Sequence, residues 1–256
     1  MKNKTELEER IKSLPKFRLR DIATFDEDET EWMRADVPKA VTEIDKFDII
    51  TTVSPRYTLV QFEDIFLPIL GVVDSLLGDI VYHRGKAVME IFPDGEDFKI
   101  GQDEHIGIRL LNSVNKTTSI YYEFVVTKNS ITYYFPRKHF RFVRQIHVGN
   151  IENLTEQLPE MIKSVKKTWI DMVTTFKDYV LSEEEIESAV KEMKLGKRIG
   201  KYLELEHSVS PLNLWHMISI IMHKMSKRKY KTEMKKKERL EKISKGIVTW
   251  AFVLRL

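Results

Sequence analysis

Seven histidines and 39 Asp and Glu residues raise metal and acid–base chemistry as the first questions for this chain. No H-E-x-x-H is present. His216 and His223 share a helix face two turns apart, about 10 Å along the axis, which is too far for one zinc ion without further ligands. Asp103-Glu104-His105 offers donors for a divalent cation, but an acidic turn explains the same tripeptide. Cysteine is absent, which removes disulfides, thiolate zinc sites and cysteine nucleophiles. Walker A, G-x-S-x-G and G-x-G-x-x-G are also missing. Gly196-Lys197-Arg198-Ile199-Gly200 could contact phosphate through Lys197 and Arg198, and equally reads as one helix stopping and another starting. The sequence therefore predicts no catalytic residues, no metal ligands, no cofactor and no enzymatic activity.

Cations interleaved with aromatic rings are the more suggestive chemistry. Arg137-Lys138-His139-Phe140-Arg141-Phe142-Val143-Arg144 combines four fixed cations with two rings. Phe140 and Phe142 share a strand parity and read as core, which leaves Arg141 and His139, with His147, on the opposite face. Tyr121, Tyr133 and Tyr134 lie nearby in sequence. Exposed rings of that kind stack on unpaired bases for about 1–3 kcal/mol each. A second basic region, Lys224 to Lys245, holds eleven Lys and Arg against Glu233, Glu238 and Glu241. It reads either as a solvated helix with intrahelical pairs such as Glu238–Lys242 or as a phosphate-tracking surface. The candidate nucleic-acid-binding residues are Arg137, Lys138, His139, Arg141, Arg144, Lys235, Lys236 and Lys237.

These residues need elements to position them. Residues 1–46 read as a charged helix followed by a solvated arm, with the acidic run Asp26–Glu29 and a break at Pro38. Phe47 to Val53 has the pattern of a buried strand, and Arg56 to Gln61 of a short extended piece. Apolar residues at three- and four-residue steps from Phe62 to Leu77 predict a helix that Gly78 stops, with Pro68 inside it. Ile80 to Phe92 predicts a hairpin turning at His83-Arg84-Gly85-Lys86, and Pro93-Asp94-Gly95 a turn. Ile106 to Leu111 reads as a strand. Ser119 to Val126 alternates, with Ile120, Tyr122, Phe124 and Val126 on one face and Tyr121, Glu123 and Val125 on the other. A turn at Lys128-Asn129-Ser130 leads into a strand over Ile131–Phe135, and a third alternation ends at Gly149-Asn150.

Beyond Asn150 the period becomes helical. Leu154 to Phe176 forms one long apolar stripe whose regular part is expected to start at Pro159. Ser182 and Glu185 fit a capping box, and the helix they open is expected to close at Gly196. Ser210-Pro211 is read as the start of a helix to Lys229, and a last helix runs from Thr232 into the apolar segment Ile247 to Leu254. The fold class is α+β, an antiparallel sheet in a β-rich half (47–150) covered by a helical half (151–256), together one domain over 47–256. The apolar C-terminal segment packs on the long helix or builds a homo-oligomer.

A composition of 42% hydrophobic and 32% charged residues fits a globular protein, and the net charge of +3 implies no polyanion by itself. Absent cysteine with abundant Lys and Glu is similar to hyperthermophile composition. Met1 to Arg20 lacks the apolar segment of a signal peptide, and no apolar run is long enough to span a bilayer. The expected location is cytoplasmic, with no membrane partner.

Several pieces resemble a domain-of-unknown-function family carried by prokaryotic plasmids, prophages and viruses. Val53 to Gln61 is similar to its V-x-x-R-Y-x-x-V-Q element. Leu110-Leu111-Asn112-Ser113, with Thr118-Ser119, resembles L-x-N-S-H-D-G-S/T. Ile146-His147-Val148-Gly149-Asn150 resembles R-H-T-G-N, and Leu214-Trp215-His216-Met217 resembles T-x-W-D-L-x-N-A. Order and rough spacing agree over residues 48–256. Val114-Asn115 replace the His-Asp pair, Val125 to Ser130 replace R-V-V-C-x-N-T-L, and Ser219 stands for the second helical Asn. The resemblance implies a mobile-element protein without an assigned activity, with single-strand annealing proteins as an analogy. The sequence thus supports sequence-tolerant binding of single-stranded nucleic acid. The rival is a structural or protein-interaction component that binds none.

Overall fold

The structure is a computed structural model that describes residues 2–26, 31–44, 49–53, 59–71, 76–114, 120–129, 131–135, 143–145 and 152–255. An antiparallel sheet dominates the N-terminal half and helices the C-terminal half, an α+β arrangement. The chain divides into two units, one of residues 1–94, 108–123 and 142–158, the other of residues 95–107, 124–141 and 159–256.

The first unit opens with helix α1 (Lys4–Lys12). Asn3 and Glu6 cap it reciprocally, each side chain bonding the other's backbone N–H. Strands β1 (Phe17–Asp26), β2 (Glu31–Glu43) and β3 (Ile49–Val53) form an antiparallel sheet in that order. Residues 17–26 and 31–43 are therefore paired strands, where their charge had suggested a solvated arm. Phe17, Ala40, Val41 and Val53 are buried in it. The β1–β2 register jumps between Asp21↔Lys39 and Ala23↔Arg34, and Pro38 falls in that irregularity, where its missing N–H leaves no rung empty. The acidic run occupies the connection closed by the pair Asp26↔Glu31, and residues 27–30 of it lie outside the described residues.

Helix α2 (Phe62–Gly71) is shorter than its apolar period suggested. Leu76, Leu77 and Gly78 instead begin strand β4 (Leu76–His83). Gly78 is no helix stop. Its N–H and C=O bond the backbone of Lys2, and a Cβ there would stand 2.7 Å from the Glu90 carbonyl oxygen and 2.8 Å from a Leu7 methyl. Strand β5 (Lys86–Pro93) pairs with β4 through a turn in which Arg84 and Gly85 both have positive φ, 45° and 76°. That is the mirror-image hairpin turn that follows strand twist. On this unit's sheet, α1 contributes Leu7 and Ile11, and α2 contributes Phe62, Phe66, Ile69 and Leu70.

Five more strands complete the larger sheet: β6 (Lys99–Gly101), β7 (Glu104–Ser113), β8 (Ile120–Lys128), β9 (Ile131–Tyr134) and β10 (Val143–Gln145). The order is β10-β8-β7-β5-β4, with β6 on β7 and β9 on β8. The unit boundary passes through β7 and β8. The third aromatic alternation is thus a three-residue strand, and the remainder of 136–150 lies outside the described residues. Within the first unit the adjacent strands β5, β7 and β8 bury both faces, so each charge there needs an internal partner. Arg109, fully buried, lies 3.3 Å from Glu90 through Nε and 3.3 Å from Glu123 through Nη1.

The second unit is mainly helical: α3 (Glu152–Asp178, shared with the first unit), α4 (Glu183–Glu192), α5 (Lys197–Val209), α6 (Leu214–Ser226) and α7 (Glu233–Arg255). Helix α3 already includes Glu152, so Pro159 is interior to it rather than in its first turn. The Ser182–Glu185 capping box is present. Helix α4 stops at Lys194, whose φ of 50° supplies the left-handed residue, and Gly196 is the N-cap of α5. Asn213, not Ser210, caps α6. Ser244 ties α7 to β9, its hydroxyl accepting from Tyr134 N and donating to Tyr134 O, both at 2.8 Å. The apolar C-terminal segment packs inside this unit, with Ile247, Val248, Trp250 and Ala251 buried and Phe252 edge-on to Phe176.

The buried charges make a testable statement about the first unit. Arg109→Met strands two buried carboxylates and should cost roughly 3–5 kcal/mol in urea unfolding. The triple change Glu90→Leu, Arg109→Met, Glu123→Leu should fold within about 1 kcal/mol of the parent, or above it. Equal losses in the single and triple variants would contradict this.

Candidate functional site

Of the sequence-predicted site residues, Arg137, Lys138, His139 and Arg141 lie outside the described residues. Arg144 is in β10, paired with Tyr121 of β8. Lys235, Lys236 and Lys237 occupy the first turns of α7, where Thr232 Oγ1 accepts from Lys235 N at 3.2 Å and caps the helix. Lys236 is 3.9 Å from Glu233, and Lys245 is 2.9 Å from Glu241. Part of this helix is therefore the self-paired solvated face that its charge pattern allowed, and such exposed pairs contribute little each. Lys235 is exposed.

The structure brings together cations that the sequence listed apart. Helix α5 starts at Gly196 without a side-chain cap, and its first turn holds Lys197 and Arg198 with no acidic residue. Arg228, just past the C-terminus of α6, comes back to this point: its Nη2 is 3.6 Å from where a Gly196 Cβ would stand. That is ordinary van der Waals contact, so the guanidinium lies against the start of α5. Lys197, Arg198 and Arg228 are exposed, and none makes an ion pair among the described residues. Tyr230 follows Arg228 by two residues, its hydroxyl donating to Met225 O at 3.1 Å. Burial raises the Tyr230 phenol, and the charges of Arg228 and Arg239 oppose that rise, so both cations act on one ring. Cations gathered without carboxylates favour an anion between them.

A second feature lies along the same pair of helices. Lys224 Nζ stands 3.7 Å over the Tyr202 ring, one helical turn before Arg228. Tyr202 is about 9 Å along α5 from Gly196, so α5 and α6 run in opposite senses with basic groups along their seam. Next to it is a cavity of about 460 Å³, bounded by the β8–β9 turn and α6 and lined by Lys128, Tyr133, His216, Ser219, His223 and Lys224, with Asn129, Ile131, Tyr202 and Ile220. The seven-residue histidine spacing is therefore explained by both rings facing one cavity. The helical spacing of the pair is visible in the sequence, whereas the β8–β9 turn that faces it is not.

Glu104 fixes one wall of this cavity. Its carboxylate accepts a hydrogen bond from Trp169 Nε1 at 2.9 Å and pairs with Lys128. Lys128 Nζ lies 5.6 Å over Trp215, whose ring is edge-on to Trp169 and stacked on Tyr133. Burial raises the Glu104 carboxyl, but the bonds from Lys128 and Trp169 outweigh it and hold the group below its usual range. Burial also raises the Tyr133 phenol, against a hydrogen bond with Ser219. Asp103-Glu104-His105 is thus occupied with structure: Asp103 O accepts from Asn129 N, and His105 O from Thr127 Oγ1. Among the described residues no group of three or more His, Asp or Glu is placed to hold a metal, and no helix is long and apolar enough to cross a membrane.

Residues that carry the family resemblance hold backbone in place. In the first unit Gln61 bonds both the N–H and C=O of Phe17, at 3.0 and 2.9 Å, and Asn112 Nδ2 donates to Val60 O at 3.4 Å. In the second, Ser219 donates to Trp215 O at 3.0 Å. No family model, curated protein or solved structure matches the chain.

The depressed Glu104 carboxyl stabilises the second unit above the ordinary carboxyl value of 4.5, and that contribution is lost as pH falls through its lower folded value. Glu104→Gln should therefore lower stability at pH 7 and flatten the acid limb of a Trp-fluorescence unfolding series below about pH 4.5. An acid limb identical to the parent's would contradict the assignment.

Proposed function

We propose that this chain is a nucleic-acid-binding protein of a mobile genetic element, with sequence-tolerant binding, single strands preferred, and no catalysis. The observation that carries the reading is the approach of Arg228 to the uncapped start of α5 at Gly196, beside Lys197 and Arg198, with Arg228 also acting on the Tyr230 ring. Cations without matching carboxylates suit phosphates, and a ring among them suits an unpaired base. Arg137–Arg144 and Lys235–Lys237 extend the proposed contact set, with Lys235 its most exposed member on α7. The mobile-element setting rests on the resemblance of the short pieces Val53–Gln61, Leu110–Ser113, Ile146–Asn150 and Leu214–Met217 to the plasmid, prophage and virus family.

The test is fluorescence anisotropy with labelled single- and double-stranded oligonucleotides over a salt series. Affinity should fall with a log–log slope of roughly −0.7 per phosphate contact on single strands. Changing Lys197, Arg198 and Arg228 together to Ala should weaken binding alike for all sequences and make that slope shallower by about two. Arg141→Ala with Arg144→Ala should act in the same direction. A folded protein that binds neither strand form at low salt would overturn the reading and favour the structural or protein-interaction component.

A further inference from the structure

The cavity beside α6 differs in chemistry from the rest of the second unit's concave surface. None of its described lining residues is acidic, whereas a neighbouring cavity places Glu183, Glu187 and Glu204 around His207. Lys224 Nζ lies over the face of the Tyr202 ring, whose hydroxyl is hydrogen-bonded to Glu206. Lys128 is paired with Glu104, so Lys224 is the cation that the lining offers without a carboxylate among the lining residues. His216 and His223, both exposed and about 10 Å apart along α6, line it together with the apolar Ile131 and Ile220. The volume of about 460 Å³ falls in the range of small-molecule sites.

We propose that this cavity binds a nucleoside monophosphate, with the phosphate at Lys224 and His223 and the base against His216, Ile131 and Ile220. A cationic end suits the dianion, and a flat imidazole with two branched apolar side chains suits an aromatic ring. The same chemistry is offered by a free mononucleotide and by the 5′-terminal residue of a strand, and only the second source rests on the nucleic-acid reading above. Simple anions satisfy the cationic end alone and leave the apolar wall uncovered.

Isothermal titration of the full chain with adenosine 5′-monophosphate, adenosine and inorganic phosphate tests it. The monophosphate should bind once per chain, with adenosine and phosphate each at least about tenfold weaker. Lys224→Ala and His223→Gln should each weaken the monophosphate by about tenfold with unchanged tryptophan emission, while Arg198→Ala leaves it unaltered. Anisotropy with oligodeoxyadenylate bearing or lacking a 5′-phosphate separates the sources. Tighter binding of the phosphorylated strand assigns the strand end, and equal binding of the two assigns the free nucleotide. Absence of monophosphate binding at millimolar concentration, equal affinity for inorganic phosphate, or undiminished affinity in Lys224→Ala would each overturn the proposal. Salt-dependent strand binding that survives such a result leaves the α5 surface intact, so the two failures are distinguishable.

Discussion

One carboxylate organises the second unit. Glu104 accepts from the indole of Trp169 on α3 and pairs with Lys128 at the end of β8. A half-buried carboxylate needs such donors, since burial otherwise favours its neutral form. Fixing Lys128 there sets the ammonium over Trp215, and Trp215 in turn packs on Trp169 and Tyr133. Strand and helix are thus registered by charge at one end and by ring contacts beyond it. Ser244, bonding both backbone groups of Tyr134, holds α7 to β9. The cavity at α6 inherits its wall from these contacts, because Lys128 and Tyr133 belong to both.

The first unit solves a related problem differently. Its central strands bury both faces, and Glu90, Arg109 and Glu123 lie on one of them. Partners on three adjacent strands fix the register as well as the charge, because a one-residue slip would turn Arg109 to the other face. A buried ion pair is weak evidence for added stability, so its contribution is read as register specificity. Gly78 imposes a comparable constraint through space alone, since Leu7 and the Glu90 carbonyl leave no room for a side chain.

Much of this architecture was legible in residue periodicity. The alternation of Ile120–Val126, the His83–Lys86 hairpin turn, the Ser182–Glu185 cap and the long apolar stripe of α3 each follow from local physics. Local signals failed where tertiary context decided the outcome. Leu76 and Leu77 continue the helical period of α2 but pair as β4, because the strand ladder with β5 takes up their backbone groups. Charge at residues 17–43 resembled an arm, since the pairing of residues 17–26 with 31–43 is not a local signal. Gly196 looked like a helix stop, yet Lys194 took the positive φ and Gly196 became the N-cap of α5, against which Arg228 lies. That last contact is long-range, so no reading of spacing along the chain reveals it. The histidine pair on α6 was visible, but its role in lining a cavity required the β8–β9 turn opposite.

The basic stretches therefore differ in character. Lysines on α7 pair in part with their own glutamates, whereas Lys197, Arg198 and Arg228 gather where no described carboxylate answers them. Repulsion among such cations is relieved by a bound polyanion, which is why the α5–α6 seam is the proposed contact. Photo-cross-linking of a thiothymidine-substituted single strand to the full chain, followed by peptide mapping, examines that seam directly. Adducts on peptides containing Tyr202, His223 or Tyr230 are the expected result. Adducts confined to residues 17–53, with none between 197 and 239, would contradict it.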